Sequence, residues 1–309
     1  MQKIRNLLRV SFSLTHISVS LGLVSLPFAC YAQSKPGLPG YKLVWADEFN
    51  YKGLPDAAKW GYETGYVRHH EKQYYTARRP ENARVENGML VIEGRKDKVA
   101  NAAFVPGSDD WRKAPDSSTY TSACLRTLGK VAFTYGRIEV RAKLPAGKGV
   151  WPAIWTLLND QPEVGGTQYG EIDIMEFVWQ DSTKIHANAH WAGDKDIVKG
   201  DDDVENIHAG DSNGEIVVKE AYKGFHIYAV EWTDKKLDFY FDDHLYHTFN
   251  IDTAGNAGRG ADNPFRKPHY LLLNLALGGA WGGDLDDAIL PQPYLIDYVR
   301  VYQTTKRTK

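Results

Sequence analysis

The chain has 309 residues, and its 37 basic and 39 acidic side chains give a formal net charge of −2. A charge so close to neutral gives no electrostatic reason to expect a nucleic-acid partner or an anionic membrane surface. The length is sufficient for one large domain with its own core.

The first 32 residues have the pattern of a secretory signal peptide. A basic start is followed by an apolar stretch from about residue 17 to residue 28, and small residues follow near Ala32. Cleavage after Ala32 predicts a secreted or periplasmic chain of residues 33–309, with a net charge of about −5 because the leader carries three basic residues and no acidic one. A lipoprotein cut before Cys30 is the alternative. No later apolar run reaches the roughly 20 residues that a membrane span requires.

The rest of the chain predicts β-strands almost everywhere. Apolar and polar residues alternate in 137–144, and turn chemistry such as Asn87-Gly88 separates the runs. Long helical periodicity is absent, apart from one turn near residues 56–60. In chain order the predicted strands are 42–47, 83–94, 120–127, 137–144, 153–158, 171–178, 184–191, 225–232, 236–241, 244–250, 269–277 and 294–302.

A dozen strands joined by hairpin connections, without βαβ alternation, predict an all-β sandwich of two antiparallel sheets. No internal repeat or linker divides it, so residues 33–309 are predicted to form a single domain. Two polar stretches, 96–118 and 193–219, are too long for simple turns, and loops of that length are often functional. Both could wall a substrate groove.

One strand carries three carboxylates in six residues, Glu171-Ile-Asp-Ile-Met-Glu176. Strand side chains alternate between faces, so Glu171 and Asp173 share a face while a regular strand would turn Glu176 away. A β-bulge at Ile174-Met175 would return Glu176 to the first face, and bulges are frequent beside active sites. A solvated acidic edge strand is the alternative, but the apolar spacers argue against it. The segment therefore predicts a catalytic site.

Aromatic residues just before this strand suggest a carbohydrate ligand. Trp151 and Trp155 lie four residues apart, hence on one face of an extended segment. Sugar rings stack their C–H faces on aromatic rings, although a core role for both tryptophans is the alternative. Glycoside hydrolysis commonly needs two carboxyl groups with separated protonation states, which the acidic strand can supply.

The next predicted strand places His186, Asn188 and His190 on one face. A zinc site that uses both histidines is one reading, and hydrogen bonding is the other and commoner one. Asn82 and Asn274 lie beside apolar strands and fit either loop caps or hydroxyl ligands.

Together these segments resemble glycoside hydrolase family 16, with the catalytic strand in its bulged form. The similarity extends through nearly all of residues 33–309, and the nearest branch is the bacterial laminarinases, which are endo-β-1,3-glucanases with some activity on mixed-linkage glucans. The supporting motifs are Trp45-Ala-Asp-Glu-Phe49, Gln73-Tyr-Tyr-Thr76, Glu81-Asn-Ala83, Tyr135-Gly-Arg-Ile-Glu139, Gly149-Val-Trp-Pro-Ala-Ile-Trp155, Glu171-Ile-Asp-Ile-Met-Glu176, Leu273-Asn-Leu-Ala-Leu-Gly-Gly279 and Asp297-Tyr-Val-Arg-Val-Tyr302.

The resemblance implies a concanavalin-like β-jelly roll with a substrate groove on its concave face, and a retaining double displacement. Glu171 would be the nucleophile, Glu176 the general acid/base, and Asp173 the residue that holds and tunes the nucleophile. The remaining implied ligands are Trp151, Trp155, Asn82 and His190 for the sugar. No cofactor is implied for catalysis.

Many relatives also bind one structural Ca²⁺ on the convex face. The matching positions here are Glu48, the Gly88 carbonyl and Asp297, a hard-oxygen set of the kind that Ca²⁺ prefers.

The chain departs from the family pattern on the glycone side of the groove, where His69-His-Glu-Lys-Gln73 replaces the usual Asn-Asn-Glu-Leu-Gln. The expected function is a secreted, monomeric, retaining endo-β-glucanase that cuts internal β-1,3 bonds, with mixed-linkage glucan as a further substrate. One alternative is a related endo-β-galactosidase acting on O-glycans or agar-type galactans. The other is a glucan-binding jelly roll without turnover, against which the complete acid triad argues.

Overall fold

The computed structural model describes residues 39–160, 170–192, 208–254 and 263–305. These residues belong to one compact unit, residues 37–309. The predicted signal peptide lies outside the described residues. Within the described ranges, no helix has the length and apolar character needed to cross a membrane.

The described residues form eighteen strands and a few short helical turns, so the predicted all-β class is confirmed. The strands are β1 Tyr41–Asp47, β2 Gly61–Glu63, β3 Gln73–Tyr75, β4 Ala83–Glu86, β5 Met89–Lys96, β6 Tyr120–Ser122, β7 Cys124–Arg126, β8 Gly136–Lys143, β9 Val150–Leu158, β10 Gly170–Glu176, β11 Lys184–Ala192, β12 His208–Asp211, β13 Gly214–Val217, β14 His226–Trp232, β15 Lys236–Phe241, β16 His244–Asn250, β17 His269–Leu277 and β18 Gln292–Thr304. The helical segments are 3₁₀ turns at Trp179–Asp181, Ala221–Lys223, Ile251–Thr253, Pro264–Arg266 and Asp287–Ile289, and one α-helical turn, α1, at Gly279–Gly282.

The strands pair into two sheets. The larger follows the order β16-β15-β14-β8-β18-β5-β6-β3, with β1 on β18 and β4 on β5. The smaller follows β12-β11-β10-β9-β17-β7-β2, with β13 on β11. Among the described strands, pairing is antiparallel except between β3 and β6. This is the predicted sandwich of two antiparallel sheets.

The two sheets share one apolar core. Ile172 and Ile174 of β10 belong to it together with Val230 of the opposite sheet, and all three are fully buried. Strand β17 is buried along its whole length, because its second face is covered as well. On that face Leu272 of β17 belongs to the same apolar cluster as Trp155 of β9. The central strands β10, β9 and β17 are therefore packed against the core on their inner face, and the outward side chains of β10 and β9 project from the opposite face.

Three sequence predictions need correction. The single strand predicted over 83–94 is a hairpin of β4 and β5, because Asn87 and Gly88 form the turn between them. The single strand predicted over 120–127 is two strands, because the chain passes from the larger sheet to the smaller one at Ala123, between β6 and β7. The stretch 193–219 was predicted to be a loop, yet β12 and β13 lie in its second half and extend the smaller sheet beside β11. Residues 193–207 lie outside the described residues.

Candidate active site

Strand β10 contains the predicted bulge. Asp173 lies opposite Trp155 on β9, whereas Met175 lies opposite Ile154, the very next residue, so one residue of β10 is extra. Against β11 the register also shifts between Asp173 and Glu176. Ile174 and Met175 are both fully buried in the core. The bulge therefore turns two consecutive apolar side chains inward and returns Glu176 to the outer face, as predicted.

The outer face of the smaller sheet carries a cleft of about 370 Å³. The three carboxylates of β10 and both predicted tryptophans line it, so the structure brings five of the predicted site residues into one place. The full lining is Arg68, His69, Glu71, Trp151, Ala153, Trp155, Glu171, Asp173, Glu176 and Asn274.

Glu176 has the properties of a proton donor at neutral pH. Burial raises the pKa of its carboxyl to about 7, and the charge of Glu171 adds to that rise. The indole Nε1 of Trp151 donates a hydrogen bond to Glu176 Oε1 at 3.0 Å, which opposes the rise because it favours the ionised form. A carboxyl poised near pH 7 can both give and take a proton.

Asp173 lies between the two glutamates and is 1% exposed. Burial, together with the charge of Glu176, raises its pKa well above the usual range of an aspartate, while a hydrogen bond with Glu171 opposes this. Two carboxyl groups that hydrogen-bond must share a proton, so Asp173 and Glu171 form a coupled pair. Asp173 Oδ2 also lies 3.3 Å from Nε2 of His190, which places the predicted histidine beside the acids.

Trp155 is held by a hydrogen-bonded chain under the cleft. Its Nε1 donates to Asn274 Oδ1 at 2.7 Å, and Asn274 Nδ2 donates to the Tyr75 hydroxyl at 3.0 Å. The guanidinium of Arg68 lies 5.0 Å from the centre of the Trp155 ring. Because both its edge and its face have fixed partners, the indole is a pre-oriented wall of the cleft.

Asn82 does not line the cleft. The side chain is fully buried, and its Oδ1 accepts hydrogen bonds from Thr76 Oγ1 and Arg79 Nη1 while its Nδ2 donates to Glu93 O and Thr121 Oγ1. These four bonds use the whole capacity of an amide. The structure therefore does not support a direct sugar contact for Asn82, and favours the loop-cap alternative.

The two histidines of β11 have different neighbours. His190 stands across from Glu171 and beside Asp173, whereas His186 stands across from Glu176, with its Nε2 3.5 Å from Asp181 Oδ2. Among the described residues the cluster with ligand atoms close enough for a metal, all within 4.8 Å of one another, is Glu171, Asp173 and His190. It contains one histidine, so the geometry favours hydrogen bonding over a two-histidine zinc site.

Two of the three residues predicted to hold Ca²⁺, Glu48 and Asp297, form ion pairs with arginines. Glu48 accepts bonds of 2.7 and 2.8 Å from Arg300, and Asp297 accepts one of 2.6 Å from Arg141. The donors are of the hard-oxygen type, but an ion would have to share these oxygens with two guanidinium groups or displace them. The calcium site stays a prediction.

The sequence places His69 and Glu71 on the glycone side of the groove without a role, gives no sign of Arg68, and leaves the role of Asn274 open. The first three come directly before the motif Gln73-Tyr-Tyr-Thr76, and that adjacency is the signal that could have identified them.

Comparisons with known proteins agree with this geometry. The model of Glycosyl hydrolases family 16 matches residues 70–300. A β-glucanase from Rhodothermus marinus is 39% identical over 273 residues, covering 86% of each chain. Two further relatives are longer proteins, of which the chain spans 39% and 55%.

Solved structures point the same way. The laminarinase from Rhodothermus marinus superposes with a TM-score of 0.67 at 39% identity, covering 86% of this chain and 98% of that one. The structure from a study of endo-acting O-glycanases of the human gut microbiota, which initiate mucin breakdown, gives a TM-score of 0.75 at 36% identity, covering 88% and 93%.

Proposed function

The chain belongs to glycosyl hydrolase family 16 and is a glycoside hydrolase, and from this premise we propose that it is an endo-acting, retaining β-glucanase. The observation that carries the proposal is the bulge in β10, which sets three carboxyl groups on one face beside two tryptophans, with the pKa values of Asp173 and Glu176 both raised. The names of its relatives, a β-glucanase and a laminarinase, support β-glucan as the substrate.

In the proposed first step, Glu171 attacks the anomeric carbon of the bound sugar. The bond from that carbon to the leaving oxygen breaks as Glu176 donates its proton to the oxygen, and a glycosyl ester on Glu171 forms. In the second step Glu176, now ionised, takes a proton from water. The water oxygen attacks the anomeric carbon and releases Glu171, so the product keeps the β configuration.

Asp173 serves both steps in this scheme. When it holds the proton that it shares with Glu171, it leaves Glu171 ionised and ready to attack. When the ester forms, the charge of Glu171 disappears, which lowers the pKa of Glu176, so that its carboxyl is ionised and can accept a proton from the attacking water. The interaction among the three acids therefore supports the change of Glu176 from acid in the first step to base in the second, as a double displacement requires.

An endo-β-galactosidase is the second candidate, because the O-glycanase structure superposes with a higher TM-score than the laminarinase, 0.75 against 0.67. The departures at His69 and His70 lie in the segment beside the cleft and support a difference in the sugar accepted there.

A substrate panel with product sizing tests the proposal. Laminarin, mixed-linkage barley glucan, agarose and mucin are each incubated with the wild-type enzyme and with Glu176→Gln. We expect internal cleavage of laminarin by the wild type, with short oligosaccharides, and loss of that cleavage in the variant. Release of oligosaccharides from mucin or agarose, with both glucans left intact, would contradict the glucanase proposal and support the endo-β-galactosidase instead.

Secretion and the cleavage site after Ala32 are part of the same proposal, and the sequence pattern of residues 1–32 supports them. N-terminal sequencing of the exported protein is the test, with Gln33 expected as the first residue and Cys30 as the result that would favour the lipoprotein.

A further inference from the structure

A second buried acid faces the cleft from the side opposite to β11. Glu71 is 4% exposed and lines the cleft together with Trp155 and Asn274. It belongs to no strand, and the proposed double displacement does not use it. A carboxyl group is a costly choice for a buried wall unless something binds it.

The carboxyl of Glu71 is fixed in place by strand residues. Gln73 Nε2 donates to Glu71 Oε2 at 2.6 Å, and Gln73 Oε1 accepts from the backbone N–H of Leu277 at 2.7 Å. The Tyr75 hydroxyl donates a further hydrogen bond to the carboxyl. Tyr75 also accepts a hydrogen bond from Asn274, and Asn274 accepts one from Trp155. The carboxyl of Glu71 and the indole of Trp155 therefore belong to one hydrogen-bonded network.

The backbone around Glu71 is clamped as well. The N–H of Lys72 donates to Leu277 O at 2.8 Å, and the N–H of Ala280 donates to His69 O at 2.8 Å. His69 and His70 both have a left-handed backbone, with φ of 55° and 49°, a conformation that non-glycine residues rarely hold twice in succession. Such conformations persist where the surrounding structure imposes them, and they cluster at binding sites.

The neighbouring charges act on Glu71 in opposite directions. A guanidinium lies beside it, that of Arg68, whose Nη2 donates to both oxygens of Glu63. Burial raises the pKa of Glu71 to about 7, and Glu63 adds to the rise while Arg68 and the bond from Gln73 oppose it. The pKa of the nearby Cys124 thiol is raised well above its usual value, so the thiol is neutral. Arg68 thus acts on Glu71 through its charge, while its Nη2 donates to Glu63 and its guanidinium lies over the Trp155 ring.

We propose that Glu71 is a specificity-determining residue that binds a hydroxyl group of the sugar unit on the β17 side of the three acids. A carboxylate offers about four lone-pair sites, of which the donors Gln73 and Tyr75 use two. A sugar that enters the cleft expels water. A lone pair of Glu71 that faces the sugar then finds a hydrogen-bond donor only in a sugar hydroxyl. The inference rests on the proposed β-glucanase function and adds a recognition role to it.

The test combines enzyme variants with deoxy substrates. An aryl β-laminaribioside is prepared together with analogues that each lack one hydroxyl of the two glucose units, and kcat/KM is measured for all of them. We expect one analogue to lose about 10- to 100-fold in the wild type, because a hydrogen bond to a charged group is lost. In Glu71→Ala the same deoxygenation should cost less than about twofold, since the partner is already missing.

Glu63→Gln is the matched control, because Glu63 belongs to the same buried network but does not line the cleft. In Glu63→Gln the deoxy analogue should lose the same factor in kcat/KM, relative to the parent substrate, as in the wild type, even if the overall activity is lower. Glu71→Gln, which disturbs the fold less, should show an intermediate penalty and replaces Glu71→Ala if that variant does not fold.

The outcomes separate the two proposals. If every deoxygenation costs Glu71→Ala as much as the wild type, Glu71 only supports the fold and this inference is wrong, while the glucanase stands. A wild type that does not cleave the parent laminaribioside would overturn the glucanase and the recognition role together.

Discussion

The hydrogen bond from Trp151 to Glu176 gives a quantitative prediction for the pH dependence of catalysis. Glu176 must be protonated to donate to the leaving oxygen, so kcat/KM falls as the pH rises through its pKa of about 7. The Trp151 N–H favours the ionised carboxylate. Replacing the indole by a ring without a donor should therefore raise the pKa and move the alkaline limb of the profile upward.

The size of the effect follows from the bond that is removed. A hydrogen bond to a charged group contributes about 1.5–3 kcal/mol, and one pKa unit corresponds to about 1.36 kcal/mol. The alkaline limb of Trp151→Phe should therefore lie about one to two pH units above that of the wild type. Because Glu176 interacts with Asp173 and Glu171, the alkaline limb reports the titration of the group of acids rather than of one carboxyl alone. The shift between wild type and variant is therefore the quantity that identifies the effect of the Trp151 bond on Glu176.

The assay is kcat/KM on a soluble laminari-oligosaccharide between pH 4 and 10, with Trp155→Phe as the control. That variant also loses an indole N–H, but its bond goes to Asn274 and not to a catalytic acid, so its limb should stay at the wild-type position. A Trp151→Phe limb that stays in place or moves to lower pH would refute the role of this bond in setting the proton affinity of Glu176.

Three further predictions concern the surrounding structure. Gly279→Ala should lower the free energy of unfolding by about 1–3 kcal/mol in a denaturant titration, because residue 279 has φ +87° and a Cβ would lie 2.8 Å from His69 O. An unchanged midpoint would contradict the close packing of Gly279 against the backbone of His69. Asn82→Ala should cost about 1–3 kcal/mol of stability because buried polar partners lose their bonds, with KM for laminarin within about twofold of the wild type; a raised KM at unchanged stability would instead make Asn82 a sugar ligand. Added Ca²⁺ should raise the Tm of the wild type but not of Glu48→Ala, and equal behaviour of the two proteins would reject the predicted site.

The features that local sequence chemistry determines were predictable. The apolar pair Ile174-Met175 between acids predicts a bulge, since both side chains need the core and Glu176 needs the outer face. The alternation in 137–144 likewise predicts β8 to within a residue at either end. In both cases the order of apolar and polar residues along a short segment determines which side chains are buried.

Features that depend on distant contacts were not predictable in this way. Nothing in 120–127 marks the point where the chain changes sheets, because Ala123 is simply a small residue that fits between them. The position of Glu71 depends on Leu277, two hundred residues away, and a short polar stretch gives no sign of that contact. Asn82 looks like a ligand in sequence because its four bonding partners are visible only in the fold.

The most direct test of the central claim, that β10 performs a retaining double displacement, is to trap the intermediate. The enzyme is incubated with an activated 2-deoxy-2-fluoro laminaribioside, and the protein and its peptides are weighed by mass spectrometry. We expect a mass increase of one 2-deoxy-2-fluoro-laminaribiosyl group, located on Glu171, and its absence from Glu171→Gln. A label on another residue, or no label together with an α-anomer as the first product of laminarin, would contradict it.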